Sequence, residues 1–246
     1  MAKHPSPIDL PTKHTVEFIQ SRVVPGAEII EIGCGEGHVA AALKSCGYKV
    51  VALDSEEQMV SKTREKGVNA FHASWPAFDC EPVDALVFTR SLHHIHDLTA
   101  AVSKVRSTLR PAGVLLVEDF AFDEVSSAAI DWLLELLRSS SARVLVKPHP
   151  DAFVTELLTA KNAMRAWQQN HDHELHSANT MLRTIRHEFS LKEITQVPYM
   201  YRYLVPVLPE TRAGVAFIDA AFQQEKALAE QGAFAAIGRR IVAHKD

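Results

Sequence analysis

The run Ala27-Glu28-Ile29-Ile30-Glu31-Ile32-Gly33-Cys34-Gly35-Glu36-Gly37-His38 constrains this chain more than any other stretch. An apolar run suited to a buried strand passes through an acidic residue into a Gly-x-Gly-x-Gly turn. A second apolar run, Tyr48-Lys49-Val50-Val51-Ala52-Leu53, closes in Asp54 about twenty residues later. Strand, glycine turn, helix, and a second strand ending in an acid make up the βαβ unit that cradles a nucleotide. Glycines let the backbone leave the strand sharply and approach a ligand with no Cβ in the way. A carboxylate at the next strand end accepts both hydroxyl hydrogens of a ribose. A dinucleotide site would carry Gly-x-Gly-x-x-Gly, and here the third glycine comes one residue early.

That early glycine, with Glu31 ahead of the turn, resembles the first motif of the class I S-adenosylmethionine (SAM)-dependent methyltransferases. Leu53-Asp54-Ser55 with Met59-Val60 resembles the second motif. Val83-Asp84-Ala85-Leu86-Val87-Phe88 resembles the fourth strand and Leu109-Arg110-Pro111-Ala112-Gly113-Val114-Leu115-Leu116-Val117 the fifth. The resemblance covers residues 25–120 and implies SAM as cofactor, with S-adenosylhomocysteine as its product. Carried over residue by residue, it implies cofactor contacts from Glu31, Gly33, Cys34, Gly35, Asp54, Ser55, Ala73, Ser74 and Arg90. Phe71-His72-Ala73-Ser74-Trp75 departs from the pattern, because the acidic residue after the third strand is missing. The Ala73 backbone or the Ser74 hydroxyl is then left to meet the adenine amine, and Trp75 either covers the ring or packs in the core.

Strands are predicted at 28–32, 49–53, 68–71, 83–88 and 114–119, with helices at 13–22, 37–46, 56–66 and 98–109. Three prolines make residues 1–11 an extended arm. The alternation predicts an α/β fold, a doubly wound and mostly parallel sheet. After Asp119 the pattern changes to helices at 125–141, a break at Lys147-Pro148-His149-Pro150, and further helices over 151–187. A strand returns at 189–197 and runs on loosely through 199–204, where Tyr199, Tyr201 and Tyr203 would share one face. A helix at 211–231 and a last strand at 235–243, in the resemblance an antiparallel edge strand, bring the sheet to seven strands. The expected architecture is a single domain over 1–246 with residues 120–187 inserted as a helical cap between strands five and six.

With 246 residues and 47% hydrophobic content the chain suffices for one such domain with an added subdomain. A net charge of -4 argues against a broad nucleic-acid surface, which needs clustered Lys and Arg. Cys34, Cys46 and Cys80 have neither disulfide nor zinc spacing and read as reduced thiols. No stretch has the roughly 18 uncharged apolar residues of a membrane helix. A cytoplasmic protein without membrane partners is expected, with the apolar faces of helices 125–141 and 211–231 available for a homodimer.

Two histidine clusters carry the candidate chemistry. Arg90-Ser91-Leu92-His93-His94-Ile95-His96-Asp97 follows the fourth strand, at the carboxyl edge where ligands bind in such sheets. His93 or His94 is there a candidate general base, while His96 with Asp97 caps the next helix. Trp167, His171, Asp172, His173, Glu174 and His176 form the second cluster, whose spacing matches no standard metal motif, so no metal is assigned. His171, His173 and His176 are candidates to close the site from the cap side. The expected function is SAM-dependent methyl transfer to oxygen, nitrogen or carbon of a small, partly apolar molecule under the cap. The alternatives are a SAM-binding protein that transfers no methyl group, regulating a partner or catalysing another reaction, and a methyltransferase acting on RNA or protein.

Overall fold

The computed structural model describes residues 4–147 and 151–246, so the proline break at Pro148-His149-Pro150 lies outside the described residues. Its seven-stranded sheet has the order β3-β2-β1-β4-β5-β7-β6. The strands are β1 (Glu28–Ile32), β2 (Lys49–Asp54), β3 (Asn69–His72), β4 (Val83–Thr89), β5 (Leu109–Phe120), β6 (Ser190–Val197) and β7 (Gly238–His244). β1 lies parallel between β2 and β4, with Ile30 opposite Val51 on one side and Leu86 on the other. These central strands are apolar on both faces, so Leu86, Phe88, Leu115 and Leu116 are completely buried.

Lys245 N–H donates to Gly113 O, and Ala121 N–H donates to Ile237 O. Rising numbers on β5 meet falling numbers on β7, which makes the pair antiparallel. The last strand is therefore antiparallel as expected but not an edge strand. It enters between β5 and β6, and β6 takes the edge.

The chain divides into two compact units. The sheet unit holds Thr12–Phe120, Glu174–Thr195 and Arg239–Asp246. Its helices are α1 (Asp9–Gln20, from Thr12 onward), α2 (His38–Ser45), α3 (Glu57–Glu65) and α4 (Leu98–Thr108). α1 starts four residues earlier than the sequence pattern suggests, because Asp9 and Ser6 exchange hydrogen bonds that start the helix and Pro11 falls in a first turn that needs no N–H.

The helical unit takes the described residues up to Pro11, Ala121–His173 and Gln196–Gly238. It contains α5 (Ser127–Arg138), α6 (Ser140–Leu145), α7 (Ala152–Thr159) and α8 (Ala163–Asn170). The next helix, α9 (Ala178–Glu188), belongs to the sheet unit and packs on α4, whereas α10 (Arg212–Glu230) belongs to the helical unit. α5 is strongly amphipathic, burying Ile130, Leu133, Leu134 and Leu137, and Ser126 caps it by accepting from Ala129 N–H.

The extended reading of 199–204 is corrected. Met200–Leu204 is a 3₁₀ turn, so the three tyrosines do not share a strand face. The cause is Glu225 on α10, whose fully buried carboxylate accepts from the N–H groups of Tyr199 (2.7 Å), Met200 (3.0 Å) and Tyr201 (2.8 Å). Three consecutive donors converging on one carboxylate curl the chain out of extended geometry. Among the described residues, no helix is long and apolar enough to cross a membrane.

Candidate active site

The glycine turn leaves β1 at φ +71° for Gly33. A Cβ there would sit 2.3 Å from Ser91 Cβ, so the position demands glycine on both backbone and steric grounds. Ser91 also donates its hydroxyl to Ile32 O, which fastens the loop after β4 to the end of β1. Gly35, at φ +53°, is different: a Cβ there would meet nothing within 4 Å, so the turn presents an open face. Cys34 is buried beside it, and burial pushes its thiol up to about 12 against a hydrogen bond with Thr63. It is a protonated packing group.

Asp54 closes β2 and accepts Gly35 N–H at 2.8 Å through one oxygen and Glu56 N–H at 3.0 Å through the other. A carboxylate has about four lone-pair positions, so capacity remains for two hydroxyl donors. Ala73 N–H donates to Asp54 O, which brings the Ala73-Ser74 segment beside the β2 end, and Ser55 O lies 3.0 Å from His72 Nε2. Trp75 is a core residue: it is buried and its indole N–H donates to Ala101 O on α4.

Glu31 lies within β1, fully buried. Thr89 donates to its Oε1 at 2.7 Å, while Oε2 is sealed with no hydrogen-bond partner. Burial pushes its carboxyl up to about 7, opposed by the Thr89 bond and by the charge of Arg90. Arg90 itself sits at φ +62°, an unusual backbone conformation for a side-chain-bearing residue, held by its N–H donating to Glu118 O.

Two residues beyond Ser91, the 3₁₀ turn Leu92–His94 carries His93, which is 3% exposed. His93 Nδ1 lies 2.7 Å from Oδ1 of Asp119, a fully buried carboxylate near the end of β5. The ring N–H is not aimed squarely at that oxygen, so the contact is short but bent. Asp119 also accepts Phe120 N–H at 2.9 Å and His93 N–H at 3.3 Å. The His93 Nε2 atom bonds to no described residue. His94 is exposed, with its ring 4.0 Å from that of His93. Asp97 caps α4 by accepting from Ala100 N–H, and His96 is exposed beside Glu174.

The second cluster divides. His176, in the sheet unit, donates its backbone N–H to His93 O and places Nε2 2.9 Å from Ile95 O, so it braces the turn that carries His93. His171, in the helical unit, bonds through Nδ1 to Trp167 O and stacks on Trp167 at 4.5 Å and on Phe122 at 5.7 Å. His173 is exposed. Among the described residues, no group of three or more His, Cys, Asp or Glu is arranged to hold a metal.

A methyltransferase-domain family matches residues 12–146. The chain belongs to that methyltransferase family. Its fold is shared with an S-adenosylmethionine-dependent methyltransferase from Mesorhizobium loti, at TM-score 0.57 and 16% identity over 94% of this chain and 96% of that one. It is also shared with magnesium protoporphyrin IX methyltransferase from Synechocystis, solved with SAM bound, at TM-score 0.52 and 12% identity over 97% of this chain and 80% of the other. The ubiquinone biosynthesis O-methyltransferase of Xanthomonas axonopodis is 28% identical over 112 residues, 42% of this chain and 47% of that protein. The chain thus spans less than half the length of this curated relative.

The methyltransferase turn fits SAM on its own chemistry. The cofactor brings a positively charged sulfonium and ammonium together with a ribose diol. The chain offers a sealed carboxylate oxygen on Glu31 with no partner, open space before Gly35, and spare acceptor capacity on Asp54. Bound there, SAM supplies an electrophilic methyl group. Sequence reasoning missed Asp119, because one acid in Val117-Glu118-Asp119-Phe120 looks like any other until β4 and β5 align and set it against His93.

Proposed function

We propose that the chain transfers the methyl group of SAM to a small, partly apolar molecule, and that the 120–187 segment, less the stretch from Glu174 onward that belongs to the sheet unit, acts as a helical cap. The observation that carries this reading is the Ser91 fastening. It joins the glycine turn to the loop bearing His93, so the cofactor cradle and a titratable imidazole stand on neighbouring strand ends. In this reading Glu31, Gly33, Cys34, Gly35, Asp54, Ser55, Ala73, Ser74 and Arg90 form the cofactor side. His93 faces the acceptor, and His176 positions it by bracing its turn. His94, His171 and His173 bound the acceptor space.

Displacement at a sulfonium methyl is in-line and needs no covalent intermediate, so the protein's work is alignment and exclusion of water. Within the helical unit Phe122, Phe153, Trp167, His171 and Tyr203 pack into one aromatic cluster. Cytoplasmic residence goes with a small diffusing acceptor. Incubation with methyl-labelled SAM and a cell extract should label a low-mass product, identified by its mass. Label confined to RNA or protein would overturn the reading, as would S-adenosylhomocysteine failing to bind.

A further inference from the structure

We infer that Glu31 gives up a proton when the amino-acid end of the cofactor binds, so that the glycine turn favours ligands bringing an ammonium group and holds them less well as the medium turns acidic. This rests on the reading above that puts Glu31 on the cofactor side, and it adds a proton to that binding step.

A fully buried carboxylate keeps its charge only where donors or cations replace the water it has lost. Glu31 receives one hydroxyl, from Thr89 to Oε1, and its Oε2 is sealed with no partner. The charged and titratable groups around it divide. At the end of β4 the Arg90 cation favours the carboxylate, as does the Ala40 N–H on α2, while Asp54 at the end of β2 opposes it. Cys34 in the turn stays a neutral thiol. Glu118, beside Thr89 on β5, has its own oxygens taken by Thr15 of α1 and by Arg240 of β7. Burial outweighs the rest and pushes the Glu31 carboxyl up to about 7. Without ligand the residue therefore holds its proton through the mildly acidic range.

An α-amino group is an ammonium below its ordinary value near 8. Placed at the turn, that charge stabilises the carboxylate and does nothing for the neutral acid. In a low-dielectric interior the preference carries over several ångströms, so the sealed oxygen need not be touched. The O–H bond of Glu31 breaks, its electron pair stays on oxygen, and the proton leaves to solvent while the ammonium keeps its own. S-adenosylhomocysteine carries this ammonium without the sulfonium. 5′-Methylthioadenosine carries the adenosine and thioether without the ammonium, so it should leave the proton on Glu31.

Calorimetry of the full chain with S-adenosylhomocysteine at pH 6.5, in two buffers of different ionisation enthalpy, should show about half a proton or more released per site. Affinity should fall about 5- to 25-fold from pH 7.5 to pH 5.5. A binding enthalpy independent of buffer would overturn the inference and leave the cofactor reading standing, whereas S-adenosylhomocysteine failing to bind at pH 7.5 would overturn that reading itself. Carbon-13 NMR of the glutamate carboxyls locates the proton in the wild-type chain. One carboxyl titrating near 7 in the free chain should move toward the ordinary carboxylate range with S-adenosylhomocysteine and stay in place with 5′-methylthioadenosine. The same movement with both ligands would show that the ammonium has no part and would overturn the inference. Glu31→Gln should remove that carboxyl signal and abolish the proton release, and release persisting in this variant would assign the proton to another group.

Discussion

Glu31 in the sheet unit and Glu225 in the helical unit are both fully buried carboxylates, and they are handled in opposite ways. Glu225 accepts three backbone N–H groups within 3.0 Å. Glu31 has a single hydroxyl donor on one oxygen and a sealed, empty-handed second oxygen. A buried acid whose two oxygens both accept backbone donors is part of the scaffold. A buried acid left short of donors costs stability, and such a cost persists where a ligand supplies what is missing. In the proposed reading the end of β1 takes the positive charge of the cofactor, whereas the turn at 199–204 is satisfied by its own chain.

The largest effect should come from Glu225. Glu225→Ala leaves three buried N–H donors without an acceptor, each worth about 1 to 3 kcal/mol and not additive, so unfolding free energy should fall by about 3 to 5 kcal/mol. Even Glu225→Gln should destabilise, because one of its two oxygens becomes an NH₂ facing a backbone donor. Urea denaturation checks both variants. A stable Glu225→Ala with the 3₁₀ turn intact would break the comparison from its scaffold side.

Glu31→Gln should act with the opposite sign. The Glu31 carboxyl is raised from 4.5 to about 7, so between those values the folded chain holds a proton that the unfolded chain has released. Its stabilising contribution is complete below pH 4.5 and is lost as pH rises through 7, a total of about 3 kcal/mol at 1.36 kcal/mol per unit. Burial also raises Glu225 and adds a slope of the same sign, which this variant leaves in place. Glu31→Gln should therefore flatten part of the fall across pH 4.5–7 and exceed the wild type above pH 7 without ligand. Parallel stability curves for the two proteins, measured by denaturation at stepped pH, would show that the sealed oxygen carries no strain.

The same contrast explains what the sequence made legible. The glycine turn, Asp54 and the first five strands follow from local patterns: continuous apolar runs, a motif of fixed spacing, and parallel pairing that brings strand ends together. The glycine motif and its acid are contiguous enough to read as a unit. Asp119 and Glu225 are not. Each acquires its role only from residues about 25 positions away, His93 in one case and the Tyr199–Tyr201 backbone in the other. Alternating tyrosines suggested a strand because periodicity weighs side chains, and the Glu225 carboxylate acting on backbone N–H groups leaves no trace in that pattern. The insertion of β7 beside β5 is a matter of sheet order, which a strand's own residues do not encode.

Asp54 sharpens the comparison because it stands between the two cases, half-buried, with one backbone donor on each oxygen and lone pairs still unused. Its loss should divide between fold and ligand. Asp54→Ala frees the Gly35 and Glu56 N–H groups, which lie close enough to the surface for water to replace much of the bond, so the effect on stability should be the smallest of the three. Its effect on SAM should be plain, because the variant removes the acceptors for two ribose hydroxyls. A hydrogen bond to a charged group contributes about 1.5 to 3 kcal/mol, and each 1.4 kcal/mol is tenfold in affinity. Calorimetry should therefore show SAM and S-adenosylhomocysteine binding at least tenfold more weakly, with the variant still folded. Unchanged affinity in a folded Asp54→Ala would mean that the open face of Gly35 and the sealed oxygen of Glu31 are not joined to a ribose site at the end of β2, and the cofactor reading of this turn would fall with it.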